Sequence, residues 1–199
     1  MAVPKPNASW NMSEAPQNRG AGKNLPTKSG SPPVNGGRGR GGILIRPARP
    51  LDLPAVITLW RELQDINASF DPRLTLNEGA ADWFIGYLGD QLDNPHMAVL
   101  VAEHEKIVVG YTFGQIMQRP TLASGDCGYV ADVCVRDGWR GRGVGRQLYE
   151  RLRSWFLAHG VTAIEVQVVR ANPASQAFWR KMGYIEFLRT LRVDMESIP

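Results

Sequence analysis

The 199 residues contain only two cysteines, Cys127 and Cys134, too few for a disulfide framework. Three scattered histidines, His96, His104 and His159, give them no metal-ligand spacing, so buried free thiols and no metal are expected. No apolar run approaches the ~18 residues of a membrane span, and the first residues lack the apolar stretch of a secretory signal. These absences exclude a secreted disulfide scaffold and a membrane protein, and they predict a soluble cytoplasmic protein. Acidic residues are almost missing from one stretch alone. Residues 1–42 hold six Lys/Arg and one acid, Glu14, whereas the remaining 157 residues hold 17 bases and 18 acids. The formal net charge of +4 is therefore a property of the first 42 residues, and the rest is close to neutral. That division removes most of the argument for a nucleic-acid or membrane partner.

Residues 1–42 carry eight Gly and six Pro among Ser, Asn and Lys. Such a composition cannot bury enough apolar surface to offset the entropy of ordering, so a disordered tail is expected, followed by one domain over 43–199. The run Gly36-Gly-Arg-Gly-Arg-Gly-Gly42 is similar to arginine-glycine tracts that bind RNA, with a solvated linker as the plainer reading.

From Ile43 the pattern is that of a folded chain. Ile43–Arg46 reads as a short strand. Asp52 precedes Pro54 and an apolar series (Val56, Ile57, Trp60, Leu63) at helical spacing, which predicts a capped helix to about Ile66. Thr75 and Glu78 form a capping-box pattern that predicts the start of a second helix at 75. Strands at 97–104 and 107–117, separated only by Glu105-Lys106, predict a hairpin. A loop at 118–126, a strand from Gly128 to Val135, and an amphipathic helix over 144–159 follow. A strand at 164–168, a helix from Asn172 to Gly183 and a last strand from Tyr184 to about Met195 complete the pattern. This order predicts an α+β fold, a mixed and mostly antiparallel sheet flanked by helices.

The sharpest local signal is Arg140-Gly-Arg-Gly-Val-Gly145, between a strand and a helix. Its glycines allow a tight turn and close approach to a ligand, and the open start of the following helix offers amides to an anion. Arg140, Arg142 and Arg146 add positive charge, so phosphate or pyrophosphate is the expected guest. A Walker loop would need Lys-Ser or Lys-Thr where Val144-Gly145 stands. A dinucleotide fingerprint would need glycine at 146 or 148, which are Arg146 and Leu148.

Arg140, Gly143 and Gly145 after the apolar strand of Val133 and Val135 resemble motif A of the GNAT superfamily of acyl-CoA-dependent N-acetyltransferases. The segment from Asn172 to Tyr184 resembles its motif B, and the separation of the two, one helix plus one strand, also fits. The resemblance covers roughly residues 43–195. It implies that Arg140, Gly141, Arg142, Gly143, Val144, Gly145 and Arg146 hold the pyrophosphate of acetyl-CoA. It also implies that Val133, Cys134 and Val135 face the pantetheine arm in a gap between two strands, and that Asn172 and Phe178 contact or pack near the cofactor. Asn172 suits a plain helix N-cap equally. The implied activity is transfer of an acetyl group to a primary amine of a small molecule or protein, by direct attack in a ternary complex and without a metal. A homodimer is compatible with it.

Two positions depart from the family pattern. Trp179 stands where many members have a tyrosine that protonates the leaving thiolate; Tyr149 and Tyr184 are the substitutes at hand. The positions matching the family's basic residue are Tyr129 and Ala131, neither an ordinary base. Asp132 is adjacent but has the opposite strand parity, so it reaches the site only if a bulge rotates it. Asp126 and Glu165 are further candidates. By the same resemblance, residues 66–77, the loop 118–126 and the last strand line the amine site. The rival readings are an acyl-CoA-binding module with weak catalysis, and a nucleic-acid partner engaged through the tail.

Overall fold

The computed structural model describes residues 42–195. The predicted tail lies outside them, except for Gly42. The elements run β1 (Leu44–Pro47), α1 (Leu53–Phe70), α2 (Ala80–Gln91), β2 (Met97–His104), β3 (Ile107–Met117), β4 (Cys127–Val135), α3 (Val144–Ala158), β5 (Ala163–Val166) and α4 (Pro173–Lys181), with short 3-10 turns at Pro50–Asp52 and Pro72–Leu74. The sheet has the order β1-β2-β3-β4-β5, antiparallel throughout except for the parallel β4–β5 pair. This is the mixed, mostly antiparallel sheet with helices on its faces that the sequence predicts.

The β2–β3 connection is the expected hairpin, and its two residues, Glu105 and Lys106, both take positive φ (48° and 67°). That backbone twist matches the twist of the flanking strands. One sheet face packs against α1 and α2 through Val99, Val101, Tyr111 and Phe113. The other packs against α3 through Val130, Leu148, Leu152 and Phe156. The α3 side is close because three sheet positions are glycines. A Cβ on Gly128 would stand 2.9 Å from the Phe156 ring, one on Gly114 2.9 Å from Leu152, and one on Gly110 3.2 Å from Leu148.

Four local expectations fail. Asp52 does not cap α1 with its side chain. Its carboxylate is held instead by Arg46, at 2.7 and 2.8 Å, and by the Arg49 amide at 2.7 Å. The helix also runs on past Ile66 to Phe70, because nothing in Asn67-Ala-Ser-Phe breaks it before Asp71-Pro72. No capping box forms at Thr75, whose hydroxyl donates to the Pro72 carbonyl at 2.7 Å and closes the preceding turn. Gly79, at φ 77°, becomes the N-cap of α2 and moves its start to Ala80. The last strand is not formed. Residues 184–194 pair with no other strand among the described residues, and Ile185, Phe187, Leu188, Leu191 and Val193 are exposed.

Candidate active site

β4 and β5 are paired only from Cys127 to Val130 against Ala163 to Val166. Beyond that point β5 ends, and β4 continues from Ala131 to Val135 with β3 alone beside it. The strand edge left open can offer amides and carbonyls to an extended, amide-bearing chain. It leads directly into the glycine loop at the start of α3.

In that loop Gly138, Gly141 and Gly143 all take φ between 74° and 79°, the left-handed region that glycine reaches without strain. No atom lies within 4 Å of a Cβ built on Gly141 or Gly143, so the space in front of the turn is open. Gly143 is the N-cap of α3 and supplies no side-chain cap. The first intrahelical bond runs from the Gln147 amide to the Gly143 carbonyl (3.1 Å), which leaves the amides of the first turn to an external acceptor. Val144 is buried, while Gly145 packs against Val135 and Phe178, whose atoms come to 3.5 and 3.6 Å of its built Cβ. This cradle fits a pyrophosphate.

The three arginines are already engaged around the rim. Arg140 Nε donates to the Val135 carbonyl at 2.9 Å, Arg142 lies 5.2 Å over the Trp139 ring, and Arg146 pairs with Glu150 at 2.7 Å. Trp139 in turn meets the His104 ring at 4.6 Å. The Val135 carbonyl and the Trp139 ring hold two of the guanidinium groups at the loop, Glu150 draws that of Arg146 along α3, and the sequence alone did not reveal these partners. Asn172 is buried and caps α4, its Oδ1 accepting from the Ser175 amide at 3.0 Å, as the plainer reading of it requires.

The β3–β4 register shifts between Phe113 and Gly114. Phe113 is opposite Asp132, Gly114 is opposite Val130, and Ala131 is skipped. This bulge is the condition set for Asp132. Val130 faces α3, whereas Ala131 joins the α1–α2 side. Past the bulge the parity is exchanged, so that Asp132 and Cys134 share the face of Phe113 and Tyr111. Thr112, fully buried, pins the bulge by donating to the Asp132 carbonyl at 2.7 Å. Burial pushes the Asp132 carboxyl up to about 6, against a smaller downward pull from the Tyr111 hydroxyl. A carboxyl tuned there is mostly ionised at neutral pH and more basic than an ordinary aspartate, so it can accept a proton.

The rival carboxylates are committed elsewhere. Glu165 forms a bidentate pair with Arg119 at 2.8 and 2.7 Å, which holds its carboxyl below the usual range. Asp126 accepts from the Arg119 amide at 3.2 Å. Trp179 is buried in a cluster with Tyr149, Tyr184 and Phe178, with ring centroids 5.4, 5.0 and 5.0 Å away. Tyr184 buries its hydroxyl there, and burial, with Tyr149 beside it, raises its pKa well above the usual phenol value. Both cysteines are buried free thiols, pushed up to about 11 (Cys127) and 12 (Cys134) by desolvation. Between α1 and the start of α2 lies an open groove of about 380 Å³, lined among others by Arg61, Asp65, Asn77 and Glu78. It overlaps the predicted amine-site region only at its end.

The sequence pattern of the acetyltransferase (GNAT) family matches residues 60–184. The chain belongs to that family. Acetyltransferase plu1384 of Photorhabdus laumondii is 29% identical over 159 residues, 76% of this chain and 98% of that protein. The L-2,4-diaminobutyric acid acetyltransferase of Nocardia farcinica is 39% identical over 80 residues, 40% of this chain, which spans 39% of the length of that relative. Among solved structures, a tetramutant of the BH1408 protein from Bacillus halodurans superposes with a TM-score of 0.65 at 24% identity, over 76% of this chain and 99% of that one. An aminoglycoside N-acetyltransferase in complex with CoA superposes with a TM-score of 0.62 at 18% identity, over 76% and 93%. In this GNAT chain, therefore, the glycine loop and the open β4 edge belong to an acetyltransferase fold. Among the described residues no helix is long and apolar enough to cross a membrane.

Proposed function

We propose that this chain transfers the acetyl group of acetyl-CoA to a primary amine by direct attack in a ternary complex, with Asp132 as the general base. The observation that carries the reading is the β4 bulge, which sets a proton-accepting carboxyl on the strand whose open edge ends at the glycine cradle. In this arrangement the uncapped amides of α3 and the rim arginines take the pyrophosphate, and the β4 edge from Val133 to Val135 lies along the pantetheine arm. Acetyl-CoA supplies a thioester carbonyl as electrophile. An alkyl ammonium with a pKa of ~10 is protonated at neutral pH, so it must lose a proton before its nitrogen can attack. Asp132 receives that proton. A strand amide near Val133 donates to the developing oxygen charge. Coenzyme A, a thiol of pKa ~8.5, leaves without a tyrosine acid, which accommodates Trp179.

A small cationic amine is the favoured acceptor. The Nocardia relative is named for a diamino acid and the CoA-bound neighbour for aminoglycosides. The test is release of free thiol from acetyl-CoA across diamino acids, polyamines, aminoglycosides and N-terminal peptides. Turnover with at least one amine class is expected, and it should fall by ~100-fold or more in Asp132→Asn with CoA affinity retained. Tight CoA binding with no thiol release from any amine would overturn the proposal and favour the acyl-CoA-binding module.

A further inference from the structure

We infer that Tyr111 is a positioning residue for Asp132, its hydroxyl donating to the carboxylate and fixing the oxygen that faces the amine. This rests on the reading of Asp132 as the base. Tyr111 is opposite Cys134 in the β3–β4 register, and Phe113 is opposite Asp132. Tyr111 is thus the diagonal neighbour of Asp132 on the shared face, at a separation of ~7–8 Å between backbones that only a long side chain spans. Its side chain is fully buried, and its hydroxyl makes no hydrogen bond of ordinary geometry within the protein. A buried hydroxyl left so costs ~1–3 kcal/mol, and the group close enough to relieve it is the Asp132 carboxyl. The bulge makes the encounter possible, since without it Asp132 would point to the α3 side.

The ionisable groups around Asp132 are Tyr111 on β3, Tyr129 and Cys134 on β4, Glu62 of α1 and Arg140 of the loop beside Cys134, and Glu165 of β5 beside Tyr129. Burial keeps both phenols and the thiol protonated through neutral pH. Tyr111 therefore remains a donor throughout the titration of Asp132. Its donation favours the ionised carboxylate and opposes the effect of burial.

The test is Tyr111→Phe in the full chain, read by the titration of the Asp132 carboxyl carbon in ¹³C-aspartate-labelled protein and by the pH dependence of kcat/KM. Loss of the donor should raise the midpoint by about one pH unit and move the acidic limb of the rate profile with it. CoA affinity should stay within about threefold of wild type. An unmoved midpoint overturns the inference. Should the limb fail to follow the Asp132 titration in the wild type while the midpoint still shifts in the variant, the base assignment falls and the Tyr111 pairing stands. If Tyr111→Phe does not fold, the ring-carbon shift of labelled Tyr111 serves instead. It should follow the Asp132 midpoint in the wild type and lose that step in Asp132→Asn; a flat profile in the wild type overturns the pairing.

Discussion

A carboxyl group kept near pH 6 inside a folded chain costs stability whenever it is charged. For Asp132 the folded value of about 6 lies above the ~3.9 of an unfolded aspartate. The unfolded chain therefore gives up this proton more readily, and the penalty on the folded state is absent below pH ~4, grows between ~4 and ~6, and is fully present above. Two units correspond to about 3 kcal/mol at most. Asp132→Asn, which keeps the shape without the charge, should then be more stable than the wild type at pH 8 by ~1–3 kcal/mol and equal to it at pH 4, while losing turnover. Urea unfolding at the two pH values measures this. Equal stability at both would show that the carboxyl titrates normally and would remove the main physical ground for its role as base.

At the scale of elements, the glycines of the β4–α3 unit divide into two kinds. Gly128 is there for space, because a Cβ would strike the Phe156 ring, whereas Gly143 is there for its left-handed φ and for the open ground before it. Gly128→Ala should lower Tm by several degrees, the effect of ~1–3 kcal/mol of overpacking, and leave CoA affinity nearly unchanged. Gly143→Ala should cost ~1–2 kcal/mol of backbone strain and weaken CoA at least tenfold. Calorimetry of both variants separates the two, and reversed signatures would refute the placement of the cradle. The same contrast marks what was legible in the sequence. Strand alternation, the Gly-rich loop and the stripe of Leu148, Leu152 and Phe156 are local signals, and they located β2 to β4 and α3 within a residue or so. The capping box at Thr75 failed because a nearby Pro72 turn and Gly79 competed for the same segment. The strand at 184–194 failed because its alternation needs a neighbour, and β5 stops at Val166. For Asp132 the sequence reached only a condition. A bulge is an agreement between two strands, and Thr112 and Tyr111, which shape its surroundings from β3, stand unmarked in a run of strand-forming residues.

The whole molecule divides its charge more sharply than its fold. Six bases and one acid lie in residues 1–42, and the family match begins only at residue 60. The positive charge that serves the cofactor should be that of Arg140, Arg142 and Arg146, the first two held at the loop by the Val135 carbonyl and the Trp139 ring and the third paired with Glu150 along α3. In ordinary buffer, with a Debye length of ~8 Å, a charge that does not touch the phosphates contributes little to holding them. Replacing Lys5, Arg19, Lys23, Lys28, Arg38 and Arg40 by glutamine moves the formal net charge from +4 to −2. It should leave the CoA dissociation constant within about twofold at 150 mM salt. Arg142→Gln, a single charge, should weaken CoA by ~3–10-fold and flatten its salt dependence, since a neighbour in direct reach of the phosphates counts for more than a distant excess. Titrations of the two variants at 50 and 300 mM salt compare these directly. A loss of affinity in the tail variant equal to that in Arg142→Gln would mean that the tail folds back over the cradle and belongs to the cofactor site.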